Sequence, residues 1–240
     1  MAGTDERIID YRFVLKDGDS VRFTLVMDAE TMLLKSHLPG PAAPWTRLAV
    51  KQCPNCPLDA ATHSHCPAAI RLEPVLKAFN RSNSFDPVTV TVVTGERTVS
   101  HATTIQKSLS SLIGLIFPTS GCPRLAPFRP MARFHLPLAT VPETLFRSSG
   151  MYLLAQYFRH KAGAAADWDM AGLARIYRHL ETVNAAMSER LRAASETDSS
   201  VNAVILLDML AKILPDALDD ALEELRPLFS PLPGFHPHQT

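Results

Sequence analysis

The sequence predicts an α+β protein in which N-terminal antiparallel β-hairpins with helices precede a C-terminal helical bundle. Two observations carry this. Turn signals divide β-rich runs in residues 8–36 and again in residues 87–104. Further on, Leu173, Ile176, Tyr177, Leu180, Val183, Met187 and Leu191 recur at steps of three and four, which gives a helix one apolar face.

Taken in order, IIDYRFVLKDGDSVRFTLVMDAETMLLKS (8–36) is a β-meander, with a tight turn at KDGD and a second near MDAET. HLPGPAAPW (37–45) is a Pro/Gly loop ending at a tryptophan expected to be buried. After a cysteine block, PAAIRLEPVLKAF is helical, with Pro67 at its first position, where a missing N–H costs nothing. PVTVTVV and ERTVSHATT form a hairpin around TGE, and IQKSLSSLIGLIF (105–117) is a helix closed by PTSG. CPRLAPFRPMARFHLPLATVP reads as irregular because of its prolines. DSSVNAVILLDMLAKIL follows the periodic helix, with Ser or Asp as caps. PDALDDALEELRPLF starts another helix at Pro215, with acidic residues at its positive end. The expected organisation is an α+β metal-binding domain over 1–130 and a helical region over 131–230, packed on the first or separate from it. A flexible tail is expected over 231–240.

Lys plus Arg and Asp plus Glu are both 24, so the net charge is zero. A general nucleic-acid binder needs a basic surplus to displace counterions, which argues against that class. MAGTDERIIDYRF lacks the apolar core of a secretory signal, and the longest apolar run, SLIGLIF, is too short to cross a bilayer. The expectation is a cytoplasmic protein without a membrane anchor. In a reducing compartment, clustered cysteines serve more often as metal or redox groups than as disulfides. No G-x-S-x-G, P-loop, G-x-G-x-x-G or H-E-x-x-H occurs, so the reading leans away from an enzyme.

All four cysteines precede proline: Cys53, Cys56 and Cys66 within KQCPNCPLDAATHSHCPAAI, and Cys122 in TSGCPRL. The spacing is C-x2-C-x9-C-x55-C. A two-residue gap lets two thiolates turn toward one centre. Cys66 stands where the next helix is capped, and free N–H groups and the helix dipole favour a thiolate there. Gly121 opens backbone amides to the Cys122 sulfur. A following proline fixes the local turn, shields the sulfur with an apolar ring and removes one N–H. A dry, thiolate-only pocket suits an iron–sulfur cluster.

The first reading is therefore a [4Fe–4S] cluster on Cys53, Cys56, Cys66 and Cys122, serving electron transfer, redox chemistry or sensing. The second is zinc on the same four residues, or on Cys53, Cys56 and Cys66 with His63 or His65, as the stabiliser of a protein-interaction module. Behind these stand buried structural thiols, a redox pair, a heme thiolate and an enzyme with an unrecognised site. A radical-SAM enzyme is disfavoured, since its C-x3-C-x2-C spacing is missing. Arg124, Arg129, Arg133 and His135 follow Cys122 and are candidates to stabilise a negative cluster or to meet an anionic partner. Asp59, inside the block, is expected to cap a turn. Expected partners are a redox or other protein and a second copy through the C-terminal helices.

CPNCPLD, HSHCP, the later GCP and the opening YRFVLKDG resemble a family of uncharacterised bacterial proteins. The resemblance covers most of the chain. It implies a bacterial cytosolic origin and brings no activity.

Overall fold

The computed structural model describes residues 5–35, 41–195 and 197–233. Residues 37–40 of the Pro/Gly loop and residues 234–240 of the expected tail lie outside the described residues.

β1 (Glu6–Leu15) and β2 (Ser20–Asp28) form the first hairpin, in antiparallel register through Tyr11↔Phe23 and Phe13↔Val21. Its turn needs a left-handed residue, and Gly18 supplies it at φ 90°. β3 (Pro87–Thr94) and β4 (Arg97–Thr104) form the second hairpin. β1 also pairs with β3, through Tyr11↔Val92 and Phe13↔Val90, so the sheet order is β2-β1-β3-β4. Alternation puts Ile9, Tyr11, Phe13, Leu25, Met27, Val88, Val90 and Val92 on one buried face. β4 is a largely exposed edge.

The second hairpin runs directly into α2 (Ile105–Thr119). This helix is buried on several sides, from Ile105 and Leu109 to Leu115 and Phe117, because sheet and helices cover it from different directions. Burying each such side chain contributes roughly 1.5–3 kcal/mol. The helix continues through Pro118, where the sequence predicts its end. Proline removes one N–H, and the Thr119 hydroxyl donates to the Leu115 carbonyl at 2.8 Å, so the last turn holds. α1 (Pro67–Ala78) starts at Pro67 with Cys66 as its extended N-cap residue.

The proline-rich stretch after Cys122 is more ordered than its composition predicts. It forms a 3-10 turn, Ala126–Phe128, and α3 (Arg129–Arg133), each with a proline in its first positions, where no N–H is needed. α4 (Val141–Lys161) opens with a capping box between Thr140 and Glu143. α5 (Ala171–Ala194) is the periodic helix. At its start, the Asp167 carboxylate accepts from Tyr152 Oη and the Gly172 N–H, both at 2.6 Å. A Cβ at Gly172 would collide with the Tyr152 hydroxyl. α6 (Ser199–Glu223) is one continuous helix across residue 215, where the sequence predicts a new start. A proline breaks one bond of the helical ladder, while packing against α2 and α5 holds the rest in line.

One buried cluster contains the sheet face, α1 and α2 together with Val183, Met187 and Leu191 of α5 and Val201, Ala203 and Val204 of α6. A second joins Phe128, Leu145, Tyr152, Leu173, Tyr177, Ala211 and Leu218 among the helices. Among the described residues no helix is long and apolar enough to cross a membrane.

Candidate functional site

Cys53, Cys56, Cys66 and Cys122 line one small cavity, although they come from three separate segments. Most of its remaining wall is apolar, with Leu48, Leu58, Val183 and Met187, and Gln52 and two guanidinium side chains, Arg124 and Arg190, also line it. All four thiols are free.

Local backbone structure aims them inward. The Cys56 N–H donates to the Cys53 carbonyl at 2.9 Å, closing the turn that brings these two sulfurs to one side. Cys66 is tied to the 3-10 turn Pro44–Thr46 by its N–H on the Thr46 carbonyl at 2.8 Å, and then enters α1. Gly121 at φ 94° turns the chain after α2, and Ser120 Oγ accepts from the Cys122 N–H at 3.2 Å. The Cys122 sulfur accepts from the backbone N–H groups of Arg124 and Leu125. Pro123, between Cys122 and Arg124, has no N–H to compete.

Burial dominates the electrostatics of the thiols. It pushes Cys53 up to about 12, with further upward contributions from Cys66, Cys122 and Cys56, while Arg190 acts in the opposite direction. Cys122 is also raised by burial, against the two amides at its sulfur. Burial therefore favours the protonated thiol at Cys53 and Cys122, and a bound cation would favour the thiolate. As the side chains stand, no group of three or more His, Cys, Asp or Glu among the described residues is arranged to hold a metal ion.

Arg190 is the residue that sequence reasoning missed. It is 2% exposed and donates to the carbonyls of Trp45 at 2.9 Å, Arg47 at 2.7 Å and Leu48 at 3.4 Å. One guanidinium thus pins the loop before the cysteine block to α5 and leaves its charge beside the thiols. Its signal was present: it falls three residues after Met187, on the apolar stripe of the periodic helix, where a charge needs a reason. Arg124 donates from Nε to the Asn55 carbonyl at 2.5 Å, which joins the C-x2-C turn to the Cys122 segment.

The other candidates lie elsewhere. His63 is exposed and pairs with Thr62, and His65 shares its Nδ1 with Thr46 Oγ1 at 2.8 Å; neither lines the cavity. Arg129 donates to the Pro118 carbonyl at 3.4 Å. His135 lines a different, larger cavity, and the charge of Arg133 acts on Arg7, whose own charge acts on His135. Asp59 accepts from the Ala61 N–H at 2.9 Å and holds its own turn, as its position predicts.

With this geometry in view, residues 9–230 match the family described as Domain of unknown function (DUF6901). The chain belongs to that family. No curated protein and no solved structure matches it. The matched span contains all four cysteines, Arg124 and Arg190, so the whole cavity lies inside the family's domain. That agrees with the resemblance to an uncharacterised family, and it adds no activity.

Proposed function

We propose that Cys53, Cys56, Cys66 and Cys122 hold an iron–sulfur cluster of the [4Fe–4S] type, and that the protein is a cytoplasmic electron-transfer, redox or sensor protein. The single observation that carries the reading is the convergence of all four cysteines, from segments up to 69 residues apart, on one apolar cavity. The surroundings support it. A four-thiolate cluster is an anion, and Arg190, Arg124 and the two N–H groups at Cys122 are donors or positive charges at its edge. Four thiolates that each bind their own iron need not converge on one point, whereas the ligands of a single zinc must.

A bound cluster would supply one-electron redox chemistry. With every iron held by protein, no iron is left open to a substrate. The chain's own part is to exclude water with Leu48, Leu58 and Met187 and to hold the sulfurs on segments whose positions Arg190 and Arg124 fix. A redox partner and a homodimer through the C-terminal helices belong to the same proposal. Phe146, Leu154, Tyr157 and Phe158 of α4 are exposed in that region, and light scattering of the purified protein reads the dimer directly.

The test is anaerobic purification followed by an absorption spectrum and iron, sulfide and zinc analysis of one sample. About four irons and as many sulfides per chain, with thiolate-to-iron absorption, are expected. A colourless sample with about one zinc per chain would replace the redox reading with that of a zinc-stabilised interaction module.

A further inference from the structure

The larger cavity, about 590 Å3, lies between β4, α2, the segment 125–141, α4, α5 and α6. Its volume is within the range of about 300–1,000 Å3 that small-molecule sites occupy. Phe117, Leu125, Phe128, Leu180 and Leu207 give it an apolar wall, and His135 and Arg147, with His101 and Lys107, add polar groups to the lining.

Around His135, one proton order uses every donor. The Leu138 N–H donates to Ser111 Oγ at 2.9 Å, Ser111 Oγ lies 2.9 Å from Tyr11 Oη, and Tyr11 Oη lies 2.6 Å from His135 Nε2. Each proton is used when Ser111 donates to Tyr11 and Tyr11 donates to Nε2. That order places the imidazole proton on Nδ1, which has no partner among the described residues. Burial, then the charges of Arg147 and Arg7, lower the His135 pKa to about 3, so the ring stays neutral.

Positive charge gathers around it. Arg147 donates to the carbonyls of Met131 and Phe134, both at 2.8 Å, and so sits beside His135. Arg7 lies close to both His135 and Arg133, and its buried Nε has no hydrogen-bond partner. No ion pair among the described residues involves Arg7, Arg133 or Arg147. Of the three, Arg147 lines the cavity; Glu143 acts on Arg147 and Glu96 on Arg7, both from beyond ion-pair distance. The Arg147 charge beside one free N–H donor forms a receptor for an anion. The apolar wall is a receptor for a hydrocarbon.

We propose that this cavity binds a small amphipathic carboxylate, its head at His135 Nδ1–H and Arg147 and its hydrocarbon body along Phe117, Phe128, Leu180 and Leu207. The site does not depend on the metal reading. Gly114 of α2 lines the cavity, and a Cβ there would make only an ordinary contact with Leu207, at 3.6 Å. A larger side chain at this position therefore fills space that the hydrocarbon would use.

Titration calorimetry with decanoate, decanol and decyltrimethylammonium on the full chain tests this. Decanoate is expected to bind one per chain, at least about tenfold tighter than decanol, the size of one charge-assisted hydrogen bond, and the cationic probe should not bind. His135→Phe keeps the ring volume and should weaken decanoate by about tenfold while leaving decanol unchanged. Gly114→Leu should abolish the binding of both, with an unchanged circular dichroism spectrum. Equal affinity for decanoate and decanol, no decanoate binding by the wild type, or wild-type binding by the folded Gly114→Leu variant would each overturn the proposal.

Discussion

The two cavities share one segment of the chain and are built in different ways. Residues 122–136 carry Cys122 and Arg124 into the small cysteine cavity and Leu125, Phe128, Met131 and His135 into the larger one. The cysteine cavity is assembled from turns and the start of α1 against one face of α5, and its shape depends on the backbone contacts of Arg190 and Arg124. The larger cavity is assembled mainly from helix faces, and His135 in its lining is held by side-chain hydrogen bonds, the Ser111–Tyr11–His135 chain. Loops must be tied by distant partners before they can aim four sulfurs together. Helix faces are already set by their own hydrogen bonds and need only be packed.

The sharpest way to break this comparison is to remove ligands one at a time. Cys122→Ala should lose iron as completely as Cys53→Ala, because the shared cavity leaves no stable three-cysteine remnant. Gly114→Leu should leave iron content unchanged. Retained metal in Cys122→Ala would mean that the 53–66 block binds alone.

Next in size is Arg190→Met. Removing the donor to three carbonyls should destabilise the fold by about 3 kcal/mol, read by urea unfolding, and Arg190→Lys should recover little because an ammonium cannot reproduce the fork. The metal content of the folded fraction should fall with it, since the loop before Cys53 loses its tie to α5.

On the other side, pH separates the cavities. The unfolded chain takes up a proton at His135 below about 6.5, which the folded chain refuses until about 3. Stability should therefore fall as pH drops through that window, by up to about 1.4 kcal/mol per pH unit from this group. His135→Phe should show a slope shallower by about one proton in denaturation measured between pH 6 and 4. The smallest effect is expected at the mouth of the same cavity. Thr140→Ala breaks the capping box of α4, whose bonds are Thr140 N–H to Glu143 Oε2 at 2.7 Å and Glu143 N–H to Thr140 Oγ1 at 3.4 Å. It should cost about 1 kcal/mol in thermal unfolding.

Local physics was enough for the sequence to determine both hairpins, the helix after Cys66, the amphipathic α5 and the identity of the four thiols. Turn residues, β-branched runs and 3.6-residue periodicity act within a few positions, and so does the Cys-Pro dipeptide. What local signals misjudged were the ends of α2 and α6 and the order in the Cys122 segment, where packing overrides a proline's single missing bond. Only the tertiary structure decided which charges stand at which cavity. His135 follows Cys122 closely in sequence but lines the larger cavity, while Arg190, 68 residues beyond Cys122, reaches the thiols. A side chain's neighbours are set by how helices and sheet layers pack. That depends on contacts between residues far apart in the chain, which no window of the sequence contains.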